Sequence, residues 1–158
     1  MSNFLYILIL ALFIYGAPAN AQNVRVTNMN ALNGGTWVSG NVVLNDVICV
    51  YADTGKKTPY LVTITDDSTI TPNAFHLENQ TRTLQIPYTV NWGNTPTKKG
   101  AKVTYGVAEG ITGGNDSSQT CAVGGFTSNI TITIDRRDLE AAPGGTYRAE
   151  VRVFIEPN

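Results

Sequence analysis

From Leu84 onward, apolar and polar residues alternate strictly: Leu84, Ile86, Tyr88, Val90 and Trp92 fall on one side, and Gln85, Pro87, Thr89 and Asn91 on the other. Successive side chains of a strand point to opposite faces of a sheet, so this pattern predicts a strand with one dry face and one wet face. Ile130, Ile132 and Ile134 alternate with Thr131 and Thr133 in the same way. Near the C-terminus, Tyr147, Ala149, Val151, Val153 and Ile155 are set against Arg148, Glu150, Arg152 and Glu156. Both segments predict half-buried antiparallel strands. Val42 to Tyr51 and Tyr60 to Thr65 are strand-like, and Val103, Tyr105 and Val107 form a shorter alternating piece. Pro87 cannot donate a ladder hydrogen bond, which places its strand at an edge or beside a bulge.

Turn residues separate these segments throughout: Asn33-Gly34-Gly35, Ser39-Gly40-Asn41, Asp53-Thr54-Gly55, Asp66-Asp67-Ser68, Gly93 to Pro96, Gly110 to Ser118, Gly124-Gly125 and Pro143-Gly144-Gly145. The one helical piece expected is Arg136 to Ala142, ended by Pro143 and Gly144. Many short strands with turns about every 8 to 12 residues predict an all-β fold, and a two-sheet sandwich in preference to an open sheet.

The N-terminus changes the compartment. Phe4 to Tyr15 is an unbroken apolar or aromatic run, followed by Gly16, Ala17, Pro18 and then Ala19, Asn20, Ala21. This is the layout of a cleavable secretory signal, and the run ends well short of the roughly 20 apolar residues a spanning helix needs. The alternative is an uncleaved anchor, since Met1 to Asn3 carries no Lys or Arg. Cleavage after residue 21 leaves residues 22–158 as one domain, with residues 22–30 as a short N-terminal extension. The charge, 11 basic against 12 acidic residues, lacks the positive excess that phosphate backbones attract, so nucleic acid is not an expected partner. In an exported chain the only two cysteines, Cys49 and Cys121, are expected to pair, as a staple across the sheets or at one end of the sandwich. Closing a loop of about 70 residues stabilises a fold by roughly 4 kcal/mol on the chain-entropy model. The alternative is two buried free thiols.

Chemistry is sparse. His76 is the only histidine, and its place between Phe75 and Leu77 predicts a solvent-facing strand residue. Asp66 and Asp67 read as a turn-forming pair, because neighbours on a strand point apart and no further ligand spacing follows. The glycines of Gly110 to Gly114 and Gly124-Gly125 lack the order of a phosphate-binding loop. No metal, cofactor or enzymatic activity is expected. Asn79, Asn115 and Asn129 open glycosylation triplets of a kind expected by chance in a chain rich in Asn and Thr. Trp37, Trp92 and Tyr105 are candidates for an aromatic sugar platform, although Trp92 shares the dry face of its strand.

Four ordered stretches carry a resemblance. Ala31-Leu32-Asn33-Gly34-Gly35-Thr36-Trp37 is followed by Ile48-Cys49-Val50-Tyr51 leading to Pro59-Tyr60-Leu61-Val62-Thr63. Then come Ile86-Pro87-Tyr88-Thr89-Val90-Asn91-Trp92-Gly93, and Leu139 to Tyr147 before a closing strand. In this order and spacing they resemble spore coat U-type domains, the family that includes subunits of archaic chaperone-usher pili. The family's usual Phe is Gly34 here, and its common early Cys is absent.

The resemblance implies an immunoglobulin-like sandwich of pilin type, left one strand short and completed by a strand from a chaperone or from the next subunit. Tyr147, Ala149, Val151, Val153 and Ile155 would line the groove, and Val24 and Val26 are the candidates for a donated strand. The partners implied are other fibre subunits, a periplasmic chaperone and an outer-membrane usher, with the chain passing through the periplasm to the cell surface. The function expected is that of a structural subunit of a surface fibre with a role in adhesion or biofilm. The alternative is a self-contained secreted β-sandwich that binds a glycan or a surface.

Overall fold

The alternating segments form strands, and the layers they build follow from which strands each one pairs with. The structure, a computed structural model, describes residues 23–53, 59–115 and 117–158. The expected export signal lies outside these residues. The largest sheet has five antiparallel strands in the order β1 (Val24–Thr27), β2 (Val42–Ala52), β9 (Ser128–Ile134), β6 (Thr89–Gly93) and β7 (Ala101–Lys102). Two three-stranded antiparallel sheets have the orders β10 (Tyr147–Arg148), β4 (His76–Asn79), β5 (Gln85–Pro87) and β11 (Val151–Pro157), β3 (Pro59–Asp66), β8 (Glu109–Thr112). The single helix among the described residues, α1 (Arg136–Ala141), starts at Asp135, whose carboxylate accepts from the Arg137 N–H at 2.9 Å. One buried cluster joins the sheets, with Ile48 and Val50 of β2, Ile130, Ile132 and Ile134 of β9 and Val90 and Trp92 of β6 meeting Tyr60, Val62 and Ile64 of β3. The fold is therefore an all-β sandwich.

The period-two run from Leu84 keeps its inward face but not its sheet. Ile86, Tyr88, Val90 and Trp92 are all buried, while the run splits at Tyr88 into β5, which pairs with β4, and β6, which pairs with β9. The missing N–H of Pro87 marks the crossing, and the Tyr88 N–H donates to the Phe75 carbonyl at 3.1 Å instead of to a ladder partner. Leu84, expected on the dry face, is exposed. The C-terminal run breaks likewise. Asp67 brackets Glu150, accepting from its N–H at 2.7 Å and donating its own N–H to its carbonyl at 3.1 Å, so β10 pairs with β4 and β11 with β3.

Other expectations need correction. β9 is central in its sheet, between β2 and β6, and is buried on both faces, since Ser128, Asn129 and Thr131 are covered as well as the three isoleucines. Val103, Tyr105 and Val107 do not form a strand. Val103 extends the β6–β7 pairing through one bond to the Val90 carbonyl, and Val107 is exposed in a turn. The expected turn from Gly110 overlaps β8, which carries one apolar residue, Ile111, and exists through its pairing with β3. Cys49 and Cys121 do pair, and the bond does not run from sheet to sheet, because Cys121 lies in the connection between β8 and β9. It fastens the long connection after β8 to β2. Gly100, at φ +77, ends the β6–β7 turn where a Cβ would stand 1.9 Å from the Trp92 carbonyl oxygen, so only glycine fits.

Because Ile64 is fully buried and Phe154 is 52% exposed, truncating the two should have unequal effects. Ile64→Ala should cost about 2 to 5 kcal/mol in denaturant-induced unfolding, and Phe154→Ala within about 0.5 kcal/mol.

Candidate functional site: an open apolar slot

The sandwich is not closed along β11. One edge of this strand pairs with β3, from Val151 opposite Asp66 to Pro157 opposite Tyr60, and among the described residues no strand pairs with the other edge. Across the gap, β1 covers β2 only from Cys49 to Ala52. The chain after β1 leaves the ladder and forms no strand from Asn28 to Asn41. Asn30 anchors this stretch, its N–H and side-chain amide donating to the Asp46 carboxylate at 2.7 and 3.0 Å.

Between residues 29–37 and the β10–β11 junction lies a cavity of about 860 Å³. Its floor is apolar, with Val42 and Leu44 from β2, Ile130, Ile132 and Ile134 from β9 and Tyr88 beside them, and Leu32, Leu77, Leu139 and Val151 stand around it. Several of these aliphatics are only half-buried, which leaves apolar area in water that a further layer of side chains would cover. Among the described residues, the charged groups that touch the cavity are Asp46, Glu140 and Arg148.

Of the expected groove residues, Tyr147, Ala149 and Val151 line this cavity, and Val153 and Ile155 do not. The latter two are half-buried against the core farther along β11. Val24 and Val26 lie in β1, opposite Ala52 and Val50 of the chain's own β2, and pack on its own core. Leu32, Trp37, Val42, Leu44 and Leu139 line the slot without having been singled out as groove residues. Val42 and Leu44 were legible as one face of a strand. Leu32 and Trp37 sit in a stretch without periodicity, where only the ordered motif marked them. The Trp37 indole N–H donates to the Gly40 carbonyl at 2.8 Å, fixing the ring at the slot's margin.

Behind the slot, a polar framework holds the small sheets. Glu78 is buried on β4, and its carboxylate accepts from the N–H groups of Thr69 (2.5 Å) and Ile70 (2.9 Å) and from the Ser68 hydroxyl (2.9 Å). Arg82 stands 3.7 Å away. Desolvation pushes this carboxyl up, but the bonds from Ile70, Thr69 and Ser68 outweigh it and hold it at about 2. Asp66 is also buried, accepting from the Tyr88 hydroxyl at 2.8 Å, the His76 N–H at 2.9 Å and the Ser68 N–H at 3.1 Å. Burial first, and then the bond to Asp66, raises the Tyr88 phenol well above its usual range. The Asp pair does form a turn, with Asp66 inward and Asp67 turned to Arg82 and Glu150.

His76 is half-buried, not solvent-facing, with its ring Nδ1 3.3 Å from the Ala74 carbonyl. The three expected sugar-platform aromatics present no common face: Trp92 is buried and donates to Tyr60, and Tyr105 packs on Phe75 at 5.0 Å between ring centroids. The glycosylation-type asparagines Asn115 and Asn129 are buried, and the Asn79 amide is used by the Thr83 and Leu84 N–H groups. Among the described residues there is no group of three or more His, Cys, Asp or Glu placed to hold a metal, and no helix long and apolar enough to cross a membrane.

The architecture has solved counterparts. A chain in the structure of a chaperone–tip adhesin complex of CFA/I fimbriae superposes with a TM-score of 0.57 at 14% identity, over 86% of this chain and 42% of that one. A chain of the CsuC–CsuE chaperone–tip adhesion subunit complex, from archaic chaperone-usher Csu pili of Acinetobacter baumannii, gives 0.49 at 16% identity over 85% and 39%. CfaE, the adhesive subunit of CFA/I fimbria of enterotoxigenic Escherichia coli, gives 0.49 at 12% identity over 75% and 36%. The present chain thus spans about two fifths of the chains it resembles. No protein-family model and no curated protein matches it. At this identity the likeness is one of fold alone, that of an all-β sandwich.

The Glu78 site gives a pH prediction. A carboxyl lowered from 4.5 to about 2 contributes stability above 4.5, and that contribution disappears as pH falls toward 2. Glu78→Gln should therefore be less stable than the wild type at neutral pH and lose less between these two values, as read by denaturant midpoints across that window.

Proposed function

We propose that this chain is a subunit of a bacterial surface fibre of the chaperone-usher type, and that its slot accepts an extended strand from a chaperone or from a neighbouring subunit. The observation that carries the reading is the coincidence of a β11 edge that no other strand pairs with among the described residues and an apolar cavity of about 860 Å³ at its Val151 end. A guest strand satisfies both: its backbone completes the ladder and its alternate side chains fill the cavity. The likeness to a chain of a chaperone–tip adhesin complex supports the same class of assembly. The ordered motifs from Leu32 to Tyr147 support membership of the spore coat U-type family within that class.

On this reading the chain is exported, meets a periplasmic chaperone and an outer-membrane usher, and is displayed at the cell surface, where its role is structural and adhesive and not catalytic. Tyr147, Ala149 and Val151 form one side of the acceptor, with Val153 and Ile155 continuing the same edge.

A synthetic peptide of seven to nine alternating Val and Thr residues, titrated into the purified chain, tests this. It should raise Tm in a concentration-dependent way, as any ligand of the native state does, and slow amide exchange in residues 151–157. Ala149→Arg, which puts a charge at the cavity, should abolish both effects. A chain whose 151–157 amides are already fully protected alone, and whose Tm ignores the peptide, would overturn the assignment.

A further inference from the structure

We propose that the connection between β8 and β9, fastened by the Cys49–Cys121 disulfide, is a clasp that keeps β1 in its own sheet and thereby sets one wall of the slot. The consequence for the slot rests on the function proposed above; the clasp itself does not.

β1 is weakly held by its own strand contacts. It has four residues, pairs with one neighbour only, and sends just two side chains, Val24 and Val26, toward the core, both half-buried. A short edge strand of this kind is marginal by itself. Three side-chain bonds from outside the sheet add to it. Arg25 Nη1 donates to Gln119 Oε1 at 3.1 Å, Thr27 Oγ1 to the Gln119 carbonyl at 3.1 Å, and Asn28 Nδ2 to the Thr120 carbonyl at 2.9 Å. The next residue of that loop is Cys121, and it is bonded to Cys49, the residue that lies opposite Thr27 in the β1–β2 register. The disulfide thus closes directly over the end of β1.

The far side of the loop is fixed as well. The buried Asn115 side chain donates to the Val123 and Gly125 carbonyls and accepts from the Ser117 and Ser118 N–H groups, while Asn115 exchanges backbone bonds with Val50 and Ala52 of β2. Gripped from both ends, residues 119 and 120 present their carbonyls to β1 as a preset pair of acceptors.

The clasp reaches the slot through the backbone. Asn28, in the left-handed region at φ 63, turns the chain out of β1 immediately after the clasped residues, and Asn30 then docks on Asp46 before residues 29–37 form the wall. Where β1 sits decides where this wall begins. In the disulfide-bonded protein Val24 and Val26 therefore complete this domain's own core and are not free to serve a neighbour, and the acceptor wall is ordered before any partner arrives.

Amide exchange on the isolated full chain tests the clasp in two variants. Arg25→Ala combined with Thr27→Val removes two of the three bonds and keeps the disulfide and the left-handed Asn28, and Cys49→Ala combined with Cys121→Ala removes the anchor. In both, amides of residues 24–30 should exchange at least about tenfold faster than in the wild type, local opening being set by local contacts. In the first variant, residues 128–134 of β9 should keep wild-type protection. Unchanged protection of 24–30 in the first variant, or an equal rise in β9, would overturn the clasp, and this arm decides the matter if the cysteine variant does not fold. No partner is needed for the measurement, so failure of the slot to take a peptide leaves its outcome readable by itself.

Discussion

An unpaired strand edge next to unfilled apolar volume is the constraint around which this molecule is organised. Either feature alone has ordinary remedies. A polar edge is solvated by water, and a surplus of apolar surface is reduced by small inward shifts of neighbouring side chains. Together they resist both, because water that satisfies the β11 backbone also sits against Val151 and its neighbours, and side chains that collapse inward leave the edge no better paired. A segment with the geometry of a strand answers the two demands at once, since its backbone supplies donors and acceptors at the strand spacing while alternate residues enter the cavity.

The small sheets tolerate this opening because their turns are held by carboxylates and not by area alone. Asp66, Asp67 and Glu78 meet where β3 ends, β4 begins and the β10–β11 path breaks, and between them they accept from the N–H groups of Ser68, Thr69, Ile70, His76 and Glu150. Charge-assisted bonds of this kind are the stronger class, and here they satisfy backbone donors that the interrupted ladders leave behind. The five-stranded sheet needs no such help. β9 is covered on both faces and flanked on both edges, and it is the rigid floor against which the slot is defined.

The legible part of the fold follows from this division. Strands with one apolar face announced themselves by period two, and β6, β9 and β11 were visible in this way, while β2 and β3 were visible as strand-like segments between turns. Pro87 was visible as a discontinuity, though not as a change of sheet, because Ile86, Tyr88 and Val90 stay on the inward side while the pairing partner changes from β4 to β9. β8 was hidden, since it owes its existence to pairing with β3, and β4 was visible only as a strand around His76, its buried Glu78 lying on the face that alternation with Phe75 and Leu77 leaves to solvent. The slot was half legible. Its β10–β11 side carried alternation, whereas the 29–37 wall is irregular backbone whose place is fixed by Asn30 on Asp46, a contact no periodicity encodes.

The same accounting explains why the disulfide belongs where it does. A bond across the core would reinforce β9 and its neighbours, which packing already secures. Placed at Cys49, it instead acts on the outer side of β2 beside a short edge strand of the large sheet, and lends the stability of the buried framework to its four residues. Since stability is distributed unevenly over a fold, with edges and loops opening first, a cross-link there changes the local opening of β1 far more than it changes the core. The rigid sheet, the clasped strand and the open edge thus form a gradient of order across the sandwich, with β11 and the 29–37 wall at the end where a guest segment has most to contribute.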